Sequence, residues 1–453
     1  MKTGWKLAPL LAASALVLGA CGGGTASQAP ASAAPASQGG ASQPVASPAG
    51  SGSSPAAAAS ADISGQTIDV LMPPWADLPQ SLLDDFTAKT GVKVNYTVAE
   101  WDAIRDKVAV AGAANSQLAD VTEFDWSWTG QFGKAGWFVP LEDKIDSSDL
   151  ANNGAFTLDG HLYGACYNND FRFYQYNKKM FDEAGIANPP ATFDEVLADA
   201  RILKQKGIVE YPILFPLQSE ESTAMTYYLN LLALGGQLMD ANGAPAFEDP
   251  NSGGYKALAL YVQALKEGLI DPAMMSMKNE AQGEYWRSGK AAINYGAPSD
   301  LVNNEDPAQS KIVGQVQPML VPGATGPGPS YGQPEGIGIM STSQKQDAAI
   351  AFIKWWESPE IQTKIYEDPS LGLLPCNKTV LQQLVDQKKV IGGQVLLDEQ
   401  QHLAPLFPEG APDWYSKFST EATSDINAAA KGSLTVDQAI KKMADTMRDL
   451  TGQ

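Results

Sequence analysis

The chain reads as an α/β protein, and three observations carry that reading. Short β-rich runs alternate with amphipathic helical runs along residues 63–453. Several helical runs open on capping signals and close on glycine. At 453 residues the chain is long enough for two or three domains with a sizeable core.

Residues 66–72 (QTIDVLM) form a β-rich run halted by Pro73 and Pro74. Residues 78–89 follow as a helix with Leu82, Leu83 and Phe86 on its apolar face and Gly91 as terminator. Val92, Val94, Tyr96 and Val98 alternate as in a half-buried strand. Residues 101–114 turn helical again, and 119–123 (ADVTE) return to strand. Such an order places the loop after each strand at one edge of a parallel sheet, where small ligands bind in open α/β folds. Further on, Thr192-Phe193-Asp194-Glu195 is a capping box, followed by Val196, Ala200 and Leu203, with Gly207 closing the helix. Tyr255, Leu258, Val262 and Leu265 keep helical spacing up to Gly268. Residues 348–366 are helical, carry Trp355 and Trp356, and restart at Ser358-Pro359-Glu360. Thr435-Val436-Asp437-Gln438 opens a last helix bearing Ile440, Met443 and Met447. No internal repeat is visible.

Composition removes several functional classes. The chain carries 31 Lys and Arg against 51 Asp and Glu, a net charge of −20, which does not suit neutralisation of nucleic-acid phosphates. Its two histidines, His161 and His402, are too few for a multi-histidine metal centre, and no cofactor is called for. Phosphate-cradling loops ending in Lys-Ser/Thr, the His-Glu-x-x-His motif and nucleophile elbows are absent.

Residues 1–20 have the layout of an export signal: Lys2 and Lys6, then an apolar stretch over 7–18, then small residues. The stretch is shorter than the ~20 residues that span a bilayer. Leu18-Gly19-Ala20-Cys21 resembles the bacterial lipobox, which implies cleavage before Cys21 and a lipid anchor on its sulfur. In residues 22–62, 35 of 41 positions are Ala, Ser, Gly or Pro and Asp62 is the single charge, so residues 21–62 read as a lipidated cysteine followed by a disordered linker. A flexible chain of that length has a root-mean-square span of ~35 Å. Cys166 and Cys376 then remain. In an exported protein they are expected to form a disulfide, two buried free thiols being the competing reading.

The segments after the linker resemble, in order, the extracellular solute-binding proteins of ABC transporters, in particular the carbohydrate-type family that includes maltose-binding protein. The resemblance rests on Tyr163-Gly164-Ala165-Cys166-Tyr167-Asn168 followed by FYQYNK at 173–178 and Met180-Phe181, and on the helix at 192–207. It continues through LGGQLMDANG at 234–243, EYWRSGKAAIN at 284–294, the segments 336–341 and 347–366, and the closing helix at 435–447. The family often places a tryptophan soon after the strand at 290–294, where this chain has Tyr295-Gly296-Ala297-Pro298-Ser299-Asp300. The resemblance implies a two-lobed, periplasmic-binding-protein-like α/β fold with hinge-connected lobes and a ligand cleft between them. On that template one lobe comprises 63–167 plus 314–344 and the other 168–313 plus 345–453. It also implies a monomeric, non-enzymatic receptor, lipid-anchored at the extracellular face of the membrane or in the periplasm. Such a receptor captures a mono- or oligosaccharide and hands it to ABC permease subunits.

A sugar needs flat aromatic faces for its C–H surfaces and polar groups for its hydroxyl fringe. Trp75 and Asp77 follow the first strand, and Asp125, Trp126 and Trp128 follow the strand at 119–123, both at ligand-facing ends. The resemblance adds Tyr167, Asn168 and Asp170 at the crossing between lobes, where Arg172 is a partner for a lobe carboxylate. Gln218 and Glu220 or Glu221 follow the strand-like run 212–217. Tyr295 and Ser299 occupy the loop that carries the family's aromatic, Tyr331 lies among Gly and Pro, and Trp414 resembles a sugar-stacking position. Trp101, Trp137, Trp355 and Trp356 are expected to pack in the core or on the surface.

Two other readings compete. The abundance of acids among the candidates, Glu123, Asp125, Asp170, Glu220 and Glu221, also suits a polyamine or other amine. Carboxylate pairs such as Asp125 and Asp170, or Asp170 and Glu220, are what a secreted glycoside hydrolase would use. A tethered adhesin is a further, weaker alternative.

Overall fold

Residues 62–407 and 410–452 are described by a computed structural model. The export signal, Cys21 and almost all of the linker lie outside the described residues. Eleven strands are present among the described residues: β1 (Thr67–Met72), β2 (Lys93–Val98), β3 (Val121–Glu123), β4 (Thr157–Leu158), β5 (His161–Leu162), β6 (Ala165–Asn168), β7 (Phe173–Asn177), β8 (Ile213–Leu214), β9 (Ile293–Gly296), β10 (Val316–Met319) and β11 (Glu335–Ile339). They make a five-stranded sheet of order β2-β1-β3-β11-β6, a four-stranded sheet of order β10-β7-β9-β8, and the small hairpin β4-β5.

In the first sheet β1 runs parallel to β2 and β3, whereas β11 is antiparallel to β3 and β6. The polar alternation Lys93, Asn95, Thr97 fits β2 to the edge, where one face meets water. β1 lies inside the sheet, and its Val70, Leu71 and Met72 are buried. Helix Gln80–Thr90 covers this sheet through Phe86, which meets Phe352 edge-on at 5.1 Å and Trp355 at 5.4 Å. Its end is made by Gly91 at φ +74°, a left-handed geometry that glycine adopts without Cβ strain.

The second sheet is held by helices whose caps the sequence specifies. Thr192 Oγ1 accepts from the Glu195 amide (3.2 Å) while the Glu195 carboxylate accepts from the Thr192 amide (3.1 Å), and helix Phe193–Gln205 follows. Thr435 and Gln438 repeat the exchange at 3.2 and 2.9 Å ahead of helix Val436–Thr451. That last helix buries Ile440, Met443 and Met447 and packs with helices Gly253–Lys266 and Tyr415–Ala430.

The chain crosses between the sheets from β6 to β7 and returns from β10 to β11. The expected division of the chain differs from the sheets at two places. β10 falls within 314–344 but pairs with β7, from Val316 opposite Asn177 to Met319 opposite Tyr174, so it belongs to the second sheet. Helices Gln346–Trp356 and Pro359–Glu367 were expected beyond residue 345 with the second lobe, yet they pack on the first. Besides the Phe86 contacts, Trp355 Nε1 donates to Asp85 at 3.0 Å and Lys89 pairs with Glu360 at 3.0 Å. Periodicity reveals an apolar face but not which sheet it covers, and that is why both assignments moved.

Cys166 on β6 and Cys376 are bonded to each other, with Cα atoms 5.8 Å apart and both residues fully buried. Backbone bonds run beside the bridge: the Asn169 amide donates to the Leu374 carbonyl (2.9 Å) and the Ala151 amide to the Cys376 carbonyl (2.8 Å). The Leu374 amide donates to Asn168 Oδ1 at 3.1 Å. The crossing strand and the segment before helix Lys378–Asp386 are thereby stitched together.

Candidate functional site

A cavity of about 480 Å³ opens where the ligand-facing loops of the first sheet meet helix starts of the second. From the first sheet come Trp75, on the turn Pro74–Ala76 after β1; Glu100, Trp101 and Asp102, after β2; and Asp125, Trp126 and Ser127, after β3. Asp170 and Arg172 enter from the β6–β7 crossing, Gln333 and Glu335 from the β10–β11 crossing. The opposite wall is the start of helix Glu221–Ala233, with Glu220, Glu221, Ser222 and Met225, and the start of helix Asn279–Arg287, with Lys278, Asn279 and Glu280. Eight of these side chains are carboxylates and two are cations.

Three indoles face this space, each held from behind. Trp75 is 38 % exposed, and its Nε1 donates to the Tyr167 hydroxyl at 3.0 Å, which in turn donates to Glu123 Oε2 at 2.8 Å. Trp126 rests on Tyr415, ring centroids 5.2 Å apart, and meets Tyr331 edge-on at 6.2 Å. Trp101 leans on the buried Trp128 at 5.5 Å, with the Arg105 guanidinium 5.4 Å from its ring.

The polar groups are strongly cross-linked. Asp125 Oδ1 accepts from the Ser127 amide (2.8 Å) and hydroxyl (2.5 Å). Arg172 pairs with Asp170 at 2.6 Å. Glu221 accepts from Tyr415 and Ser419, both at 2.6 Å, and Glu335 accepts from Asn168 Nδ2 at 2.8 Å. Gln333 donates to the Tyr331 hydroxyl, which donates to the Met225 carbonyl at 3.2 Å. Asp170 Oδ1, Arg172 Nε, Ser222 Oγ and Gln333 Oε1 are buried with no hydrogen-bond partner among the described residues.

Burial shifts the acids upward. Glu335 is pushed up to about 8 by desolvation, with the charge of Asp170 adding to it. Asp125 and Asp170 each rise to about 6, again through burial, against the opposing Ser127 hydrogen bonds and the Arg172 charge respectively. Glu123, behind the cavity wall, is driven well above its usual range by burial and by Glu335 and Asp125.

Of the residues expected at the site, the structure gathers Trp75, Asp125, Trp126, Asp170 and Glu220 around the cavity. Tyr167 and Asn168 stand one layer behind, holding Trp75 and Glu335. Tyr331 is fully buried and props Gln333 and Trp126. The rest lie elsewhere. Asp77 is exposed at the end of its turn. Trp128 is fully buried because the 3-10 turn after Asp125 rotates it inward onto Phe132 at 5.3 Å. Gln218 contributes only its carbonyl, to Glu220 and Thr223. Tyr295 is a buried strand residue opposite Tyr174. Ser299 sits in the first turn of helix Pro298–Asn304 and is not among the lining residues. Trp414 packs on Phe407 (5.8 Å) and Phe418 (5.9 Å), leaving Tyr415 to lie under Trp126. Conversely Trp101, expected only to pack, lines the cavity. The signal for it and for Glu100 and Asp102 is the one that finds Trp75: all follow directly on the end of a strand of the same sheet. Lys278, Asn279 and Glu280 carry no such signal.

Residues 72–363 match the model of the bacterial extracellular solute-binding protein family, and the chain belongs to that family. The diacetylchitobiose binding protein DasA of Streptomyces coelicolor is 28 % identical over 356 residues, covering 74 % of this chain and 78 % of DasA. Among solved structures, an ABC transporter solute-binding protein of Thermotoga lettingae bound to α-D-tagatose aligns with a TM-score of 0.75 at 24 % identity, over 85 % of this chain and all of the other. The maltose-bound MalE3 of T. maritima aligns with a TM-score of 0.77 at 20 % identity, over 85 % and 100 %. The fold is thus that of the two-lobed binding proteins.

Proposed function

We propose that this protein is the sugar receptor of an ABC importer. It closes its two lobes on a mono- or oligosaccharide, releases it unchanged to membrane permease subunits, and is held at the outer face of the membrane by a lipid on Cys21. The observation that carries this reading is one cavity lined from both sheets, in which three indoles face acids, two amides, a guanidinium and an ammonium. Indole faces cover sugar C–H surfaces and the polar groups pair with hydroxyls, each of which would cost ~1–3 kcal/mol if buried unpaired. The cavity has the size of small-ligand sites, ~300–1,000 Å³. The sugars bound by DasA and by the Thermotoga proteins support the same ligand class.

Because the walls come from different lobes, a ligand touching both stabilises the closed arrangement, and only such differential contact shifts the equilibrium. The carboxyl groups serve as hydrogen-bonding partners of the ligand rather than as an acid–base pair. A thermal-shift screen of mono- and oligosaccharides tests the reading. A true ligand raises the melting temperature progressively with concentration, by ~2.7 kcal/mol of added stability at a hundredfold excess over Kd. Release of reducing ends from an oligosaccharide at catalytic rates, or no response to any sugar, would overturn it.

A further inference from the structure

We propose that the sugar this cleft takes carries a free amine: an amino sugar or a short oligosaccharide of amino sugars, with its ammonium among Asp125, Asp170 and Glu335. The inference rests on the sugar-receptor reading and narrows it. Acids outnumber cations eight to two on the cavity wall, and Arg172 is already committed to Asp170 at 2.6 Å. Two deeply buried wall residues, Asp170 and Gln333, at 3 % and 2 % exposure, each keep an acceptor oxygen with no partner among the described residues. Arg172 Nε and Ser222 Oγ are unpartnered donors on the same wall, but eight carboxylates against two cations leave it richer in acceptors than in donors. An ammonium brings three donors and no acceptor, whereas each sugar hydroxyl brings one donor together with lone pairs that face carboxylates badly.

All three acids line the cavity, and the charges of Asp170 and Asp125 both bear on Glu335. Among the described residues Arg172 is the one positive charge beside these three acids, and a further cation placed among them relieves the cost of burying the rest. The flanking indoles contribute in the same sense, because a cation over an indole face is attracted to it. A metal ion, which needs its oxygen ligands within ~2.0–2.6 Å, is a poorer occupant than an ammonium, which pairs with carboxylates at ~2.7–2.9 Å: no group of three His, Cys, Asp or Glu side chains among the described residues could hold a metal. Phosphorylated or acidic sugars would meet like charge.

The test is calorimetric titration of the purified protein with matched probes. These are glucosamine and galactosamine and their 1,4-linked oligomers, the N-acetylated forms of each, the neutral hexoses and their oligomers, and spermidine as an amine without a ring. The expected result is that a free-amine sugar binds about tenfold or more tighter than its N-acetylated and neutral counterparts. Raising salt from about 0.02 M to about 0.5 M should weaken that binding several-fold while leaving neutral sugars unmoved. Glu335→Gln should lower the amine-sugar affinity about tenfold. A second variant, Glu100→Gln with Glu280→Gln, removes two exposed wall charges that make no side-chain bond among the described residues, and should reduce the salt dependence without altering the fold. A neutral or N-acetylated sugar binding as tightly as its amine partner overturns the inference and leaves the sugar reading standing. Binding of spermidine without any sugar, or of no probe at all, overturns both.

Discussion

Trp75 and Trp128 are both tryptophans on loops that follow first-sheet strands, yet their surroundings assign them opposite roles. Trp75 is partly exposed and is held by one hydrogen bond, whereas Trp128 has no exposed surface. Trp75→Ala should change unfolding free energy by no more than ~1 kcal/mol and weaken ligand binding about tenfold or more. Trp128→Ala should cost ~3–5 kcal/mol of stability through the cavity it leaves, read by denaturant melts. Glu335 makes a different prediction. Its ordinary value is 4.5 and its folded value about 8, so the folded protein binds a proton that the unfolded chain has lost between those limits. The stability this group supports is complete below about pH 4.5 and is lost as pH rises towards 8. Urea midpoints of the ligand-free protein should therefore fall between pH 5 and pH 8, and Glu335→Gln should flatten that slope.

At the scale of elements, helix ends were the most legible feature. Thr192 and Thr435 sit where their capping signals place them, because a cap depends only on residues three apart. Thr435→Ala should cost ~1 kcal/mol, measured by thermal or chemical unfolding, with ligand affinity unchanged. Loops after strands were legible too, which is how Trp75, Asp125 and Trp126 were found. The same rule applied to the end of β2 would have found Trp101, but its helical spacing drew it into the packing class. What the sequence could not disclose is rotation within a turn. Trp126 and Trp128 are two residues apart on one 3-10 turn, and only the first reaches the cavity. Nor could it disclose neighbours from distant segments: Trp414 looks like a platform by its family position, yet it packs on Phe407 and Phe418, and Tyr415 lies under Trp126 instead. The wall residues 278–280 arrive from a helix start with no periodic or strand signal before it.

For the molecule as a whole, the two sheets and their crossings set what the site can do, since each sheet supplies walls that neither has alone. Replacing Cys166 and Cys376 together by alanine should lower unfolding free energy by about 2–5 kcal/mol, and a reducing agent should do the same to the unaltered protein, both followed by urea melts. Ligand affinity should fall as well, because β6 carries Tyr167 and Asn168, which brace Trp75 and Glu335 from behind. The bridge has a temporal side. Its two sulfurs are separated by 210 positions, so a chain emerging amino end first displays Cys166 without its partner until 210 further residues have followed. Throughout that interval an oxidising surrounding is a hazard as much as a help, and the clasp behind the binding cleft is among the last things to be fastened.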